Sequence, residues 1–91
     1  METTDKIEQV LDSMKNLLLE KNKRYGNAAL QPIGIFSKAN STTSILVRLD
    51  DKISRIKNSN ELRKNDIADL LGYLTLLCVS NDWLDFNELI D

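Results

Sequence analysis

The hydrophobic positions in the first quarter of the chain repeat every three or four residues. This spacing predicts a helix from about residue 5 to residue 24. Asp5 precedes Glu8 by three residues, which resembles a capping box at the helix start. Gly26, directly after Tyr25, suits the left-handed conformation that ends many helices. The apolar positions of this helix are Ile7, Val10, Leu11, Met14, Leu17 and Leu18.

Two more helices are predicted in the second half of the chain, from about 41 to 57 and from about 61 to 79. The third is apolar nearly all round from Ile67 onward, which marks it as the central buried element. Ser80 and Asn81 interrupt it, and residues 82–90 predict a short closing helix. The apolar stripe of the second helix is Ile45, Leu46, Leu49, Ile53 and Ile56, and the closing helix carries Trp83, Phe86 and Leu89.

No segment shows the alternation that is typical of strands. The pattern therefore predicts an all-α fold, a compact bundle of three main helices plus a short C-terminal helix, in one domain over residues 1–91. Residues 26–41 hold Pro32 and two of the three glycines and predict a long loop, a kind of loop that is often functional. The apolar residues expected to hold this loop on the core are Ile33, Ile35 and Phe36.

The length and charge of the chain argue against bulk nucleic-acid binding, a membrane span and a signal peptide. Ninety-one residues with a net charge of −2 make one small domain without the positive charge that bulk nucleic-acid binding needs. The nearly apolar run from Leu70 to Val79 is shorter than the roughly 20 residues of a membrane span. The first twenty residues are amphipathic and acidic, unlike a signal peptide. We therefore expect a cytoplasmic protein that does not engage membranes.

The chain has no histidine and one cysteine, Cys78. This composition excludes an internal disulfide, the usual zinc sites and histidine-based catalysis. Carboxylates, Lys, Arg, Tyr and an oxygen-ligated metal remain as the available chemistry. Because a core this small seldom supplies more than about 3–5 kcal/mol, we expect a homo-oligomer. The apolar third helix and the closing helix are the surfaces expected to associate.

A stripe of basic residues follows one face of the second helix. Arg48, Lys52 and Arg55 are spaced by four and three residues and could clamp phosphate oxygens. The alternative is a solvated face that Asp50 and Asp51 neutralise, since Asp51 and Arg55 form an i,i+4 pair.

Acidic residues gather on the third helix. Glu61, Asn65 and Asp69 follow at four-residue steps, and Asp66 precedes Asp69 by three. Asp69 lies where the helix turns apolar, so it must find a cation, a metal or hydrogen-bond donors. It could pair with the second helix, form part of a ligand or metal site, or do both.

A third group lies at the end of the first helix. It could form a corner that stacks on a base and contacts phosphate, and it consists of Lys21, Lys23, Arg24, Tyr25, Gly26 and Asn27. Lysines are also favoured at a helix C-terminus by the helix dipole alone.

Taken in order, these residues resemble the phage-associated family called nucleotide modification associated domain 1. Its elements K-x3-YG, R-x3-K-x2-R and E-x7-D-x3-Y match residues 21–26, 48–55 and 61–73. The family is in turn distantly similar to the all-α MazG-like nucleotide pyrophosphohydrolases. The resemblance implies a small phage or prophage protein that acts on nucleotides.

Two departures from the MazG-like pattern bear on activity. Those enzymes hold magnesium with an E-x-x-E pair followed by an E-x-x-D pair, and the first pair falls here on Lys52 and Arg55. Asn65 stands where the nearer family tends to have a carboxylate. Glu61, Asp66 and Asp69 could therefore form only a depleted metal site, whereas the cations favour phosphate binding without metal.

Three functions follow as hypotheses. The first is nucleotide binding without turnover or cofactor, with phosphates on Arg48, Lys52 and Arg55 and a base on Tyr25; such a protein could sequester a host or signalling nucleotide. Lys21, Asn27, Glu61 and Asp69 would complete the site. The second is a Mg-dependent nucleoside triphosphate pyrophosphohydrolase that uses Glu61, Asp66 and Asp69. The third is a structural or protein-interaction helical module.

Overall fold

The computed structural model of the chain describes residues 1–26 and 40–91, and all secondary-structure elements within these residues are helices. Helix α1 spans Thr3–Tyr25, α2 spans Ser41–Asn58 and α3 spans Lys64–Ser80, and a 3₁₀ turn follows at Asn87–Leu89. The predicted all-α class with three main helices is confirmed. The loop predicted between α1 and α2, with its apolar residues, lies outside the described residues except at its two ends.

Helix α1 begins two residues earlier than predicted because Glu2 supplies the cap. The backbone N–H of Glu2 donates to Asp5 Oδ2 at 3.0 Å, so Asp5 lies in the first turn. The predicted capping box of Asp5 with Glu8 was therefore wrong by one turn. Gly26 ends the helix as predicted, but its φ of 64° and ψ of −151° lie outside the left-handed helical region, in a conformation essentially restricted to glycine.

Helix α3 begins three residues later than predicted. Ser59 Oγ donates to the carbonyl oxygen of Glu61 at 2.6 Å and accepts from the N–H of Glu61 at 3.3 Å. These local hydrogen bonds fold residues 59–61 into a turn that competes with helix formation. Glu61 consequently does not lie on the face of α3 that carries Asp69.

The closing helix predicted over 82–90 is shorter than expected, because the chain forms only a 3₁₀ helix at Asn87–Leu89 there. Asp82 has a φ of 56°, and the N–H of Trp83 donates back to the carbonyl of Cys78 at 2.9 Å, so the chain turns away from the α3 axis. Asp85 Oδ1 accepts from the N–H of Asn87 at 2.8 Å and starts the short turn. Without a surface to pack against, the apolar side chains of this segment remain exposed.

Helices α2 and α3 form an antiparallel pair. Ser41 and Thr42 at the start of α2 share hydrogen bonds with Ser80 at the end of α3, at 3.1 and 2.6 Å between hydroxyl oxygens. Among the described residues, Ile45 and Leu49 of α2 are the only buried large apolar side chains. Helix α3 is central because it contacts both α1 and α2, but most of its side chains are half-buried.

Helix α1 crosses α3 at Gly72. A Cβ atom on Gly72 would lie 3.1 Å from Leu18 Cδ2, so the missing side chain lets the two helices approach closely. In the part of the chain that the structure describes, no helix is long and apolar enough to cross a bilayer.

The Gly72 crossing makes a prediction about stability. Gly72→Leu should lower the free energy of unfolding by about 1–3 kcal/mol, because the larger side chain overpacks the crossing. Gly72→Ala is the matched control: it meets only the movable end of Leu18 and gains roughly 1 kcal/mol of helix propensity, so its change should be small. Urea denaturation measures both, and equal stability of the two variants would contradict this packing.

Candidate functional site

A cleft of about 370 Å³ lies between α1 and α3. This volume is within the range of small-molecule sites, which are mostly apolar with a few convergent polar groups. Leu17 and Leu18 of α1 and Leu76 of α3 supply apolar wall. The polar and aromatic side chains that line the cleft include Lys21, Tyr25, Arg48, Asp69 and Tyr73.

Helical spacing brings these side chains together. Lys21 and Tyr25 lie three and seven residues after Leu18 and so share the face of α1 that meets α3. Asp69 and Tyr73 are four residues apart on the matching face of α3, on either side of Gly72. The close approach of α1 to α3 at Gly72 places these four groups around one cleft.

Asp69 is the electrostatic centre of the site. Its Oδ2 lies 2.8 Å from Lys52 Nζ of α2, and its Oδ1 lies 3.7 Å from Lys21 Nζ of α1. The hydrogen bond from Lys52 lowers the pKa of Asp69, and the same bond raises the pKa of Lys52. The side chains of Lys52 and Asp69 are 14% and 31% exposed, so water screens this pair only in part. One carboxylate thus connects all three helices.

Arg48 is the basic residue of α2 that lines the cleft. Its guanidinium carbon lies 5.7 Å from the centre of the Tyr73 ring, within the distance of a cation–π contact. Among the described residues, no ion pair includes Arg48. The tyrosine therefore holds the guanidinium at the cleft while leaving its charge available to an anion.

The predicted basic stripe of α2 divides into three environments. Arg48 lines the cleft, Lys52 is bound to Asp69, and Arg55 NH2 lies 3.2 Å from Asp51 Oδ2. The last pair is largely exposed, as the solvated-face alternative expects. Arg55 and Asp66 border a second, smaller pocket instead of the cleft.

The three carboxylates of the predicted metal site, Glu61, Asp66 and Asp69, do not lie together. Asp69 lines the cleft, Asp66 borders the second pocket, and Glu61 lies exposed in the turn before α3. Within residues 1–26 and 40–91, no group of three or more His, Cys, Asp or Glu is arranged to hold a metal ion. Asn27, the remaining candidate ligand residue, lies outside the described residues.

Tyr73 is a cleft residue that the site prediction omitted. It belongs to the E-x7-D-x3-Y element, and its position four residues after Asp69 places it on the same face of α3. That spacing was the signal in the sequence that could have identified it.

No protein-family model, curated protein or solved structure matches this chain. The resemblance to the nucleotide modification associated domain 1 family therefore stays a prediction that rests on the motif residues.

Proposed function

We propose that the cleft binds a nucleotide or another phosphate-containing small molecule, and that the protein does so without turnover. The observation that carries the proposal is convergence: Lys21, Arg48 and Asp69 come from three separate sequence elements on three helices and meet at one cleft. Tyr25 and Tyr73 from two of those elements line the same space.

The chemistry of the lining suits a nucleotide. Arg48 and Lys21 would contact the phosphate oxygens, since both are cations at the cleft and Arg offers a bidentate fork. The ring of Tyr25, which is largely exposed, would stack on the base. A mostly apolar cleft with a few directed polar groups is the usual form of such a site.

Lys52 takes a different part in this arrangement from the one expected from sequence. It is bound to Asp69 and does not line the cleft, so it holds Asp69 and α3 in place. Lys21, half-exposed and 3.7 Å from Asp69, can turn to a phosphate without leaving Asp69 unpaired. Phosphate binding thus moves from the predicted trio on α2 to Arg48 and Lys21.

The biological part of the proposal has two sources. The resemblance and the departure at Lys52 and Arg55 support a phage or prophage origin and sequestration of a host or signalling nucleotide. The small core supports assembly as a homo-oligomer. Hydrolysis with magnesium and a structural or protein-binding role are the competing outcomes of the experiment.

Equilibrium titration of the purified protein with nucleoside mono-, di- and triphosphates, in EDTA and then in magnesium, tests the proposal. We expect binding in EDTA that weakens as salt rises, because exposed charges are screened. We expect no release of pyrophosphate in magnesium. Release of pyrophosphate would favour the enzyme, and no binding of any nucleotide in either buffer would favour the structural module.

A further inference from the structure

The N-terminal half of α1 carries apolar side chains that nothing in the described chain covers. Ile7, Val10 and Leu11 are each more than half exposed. They continue the same helix face as Met14 and Leu18, which are half-buried. The stripe is therefore continuous along α1 and covered only towards its C-terminal end.

Helix α3 ends too early to cover the start of the stripe. Leu18 meets Gly72 and Lys21 meets Asp69, so the two helices run antiparallel with matched rise. Continued along both axes, this register sets Ser80, the last residue of α3, level with residue 10 of α1. The residues of α1 before position 10 extend past the end of α3.

Charges beside the stripe complement a second copy. Glu8 and Lys15 flank one edge of the stripe, seven residues apart and opposite in sign. No ion pair among the described residues includes either of them. When two copies of α1 cross antiparallel near Leu11, Glu8 of each copy comes close to Lys15 of the other.

We infer that the N-terminal half of α1 is a homodimer interface, in which the apolar stripes of two copies pack antiparallel about Leu11 with reciprocal Glu8–Lys15 pairs. A two-fold interface of this kind is self-complementary and closes without leaving an open end. It differs from the surface expected from sequence, which was the third helix with the closing segment. The inference rests on the homo-oligomer part of the proposed function and not on its ligand.

Sedimentation equilibrium at micromolar concentration tests the interface. The wild-type protein should be a dimer, and Leu11→Asp should be monomeric because it places a charge in the apolar contact. Leu62→Asp is the control, since Leu62 is an exposed leucine in the turn before α3 and its change should leave the dimer intact. A monomeric wild-type protein would overturn the inference, and so would a Leu11→Asp variant that stays dimeric.

A charge exchange tests the register without the risk of unfolding. Lys15→Glu should raise the dimer dissociation constant about tenfold, because two exposed pairs become repulsive. Adding Glu8→Lys should restore most of the affinity. An unchanged dissociation constant in Lys15→Glu, or no recovery in the double variant, would overturn the antiparallel pairing. Nucleotide titration of the wild-type protein does not depend on these substitutions. A wrong nucleotide-binding proposal and a wrong dimer inference would therefore give different results.

Discussion

Asp69→Asn should lower the free energy of unfolding by about 2 kcal/mol, whereas Asp66→Asn should change it by less than about 0.5 kcal/mol. Asp69 bonds to Lys52 and faces Lys21, so the neutral amide leaves a mostly buried lysine without its carboxylate. A fully buried pair would cost about 3–5 kcal/mol, and partial exposure of Asp69 reduces that.

Urea denaturation measured at one protein concentration compares the two variants, because association with other copies raises apparent stability. Asp66 is the matched control: it lies one turn earlier on α3, is half-buried, and belongs to none of the ion pairs among the described residues. Equal and small losses in both variants would mean that the Lys52–Asp69 bond does not stabilise the helix packing.

The difference in free energy of unfolding between wild type and Asp69→Asn should depend on pH in a way that identifies the Lys52–Asp69 pair as its cause. The pKa of Asp69 is lowered from 3.8, so its contribution is present above that pH and is lost as the pH falls through the lower, folded-state value. The pKa of Lys52 is raised from 10.5, so its contribution is present below that pH and is lost as the pH rises through the higher value. The gap between wild type and Asp69→Asn should therefore be steady from about pH 5 to pH 10 and shrink on acidification.

Local patterns were sufficient to predict the three helices. The apolar spacing that identified α2 matches its observed bounds to within one residue, and Ile45 and Leu49 of its predicted stripe are the buried pair. The errors came where side chains compete with the helix. Ser59 forms hydrogen bonds with the backbone of Glu61, so α3 begins later in the sequence than predicted. The turn at Asp82 leaves the C-terminal segment without a packing surface.

The site was predictable as a set of residues but not as an arrangement. Spacing showed that Arg48, Lys52 and Arg55 share a face of α2, but a shared face does not say what lies opposite. Asp69 of α3 forms an ion pair with Lys52, and Tyr73 of α3 forms a cation–π contact with Arg48. Both contacts exist only after the helices pack. Both contacts join α3 to α2, whereas the close approach of Gly72 to Leu18 brings α1 and its Lys21 to the same site.

Arg48→Ala should weaken binding of every nucleotide that the wild type binds by about 1.5–3 kcal/mol, the range for hydrogen bonds to charged groups. Arg55→Ala should change binding by less than about 0.5 kcal/mol. The two residues are of the same type on the same helix, seven positions apart, and each loses the same side chain. Arg48 lines the cleft against Tyr73, whereas Arg55 is paired with Asp51 and borders another pocket.

Isothermal titration in EDTA measures both variants, with urea denaturation to confirm that each remains folded. The comparison separates the sequence-based site from the cleft, because a phosphate clamp along the predicted stripe needs both arginines and the cleft needs only Arg48. Equal weakening of nucleotide binding in the two variants would mean that the phosphates bind along the predicted stripe and not at the cleft. An anion held at the cleft by Arg48 must lose its strongest donor when the guanidinium is deleted. Unchanged nucleotide affinity in Arg48→Ala would therefore mean that Arg48 does not bind the phosphate.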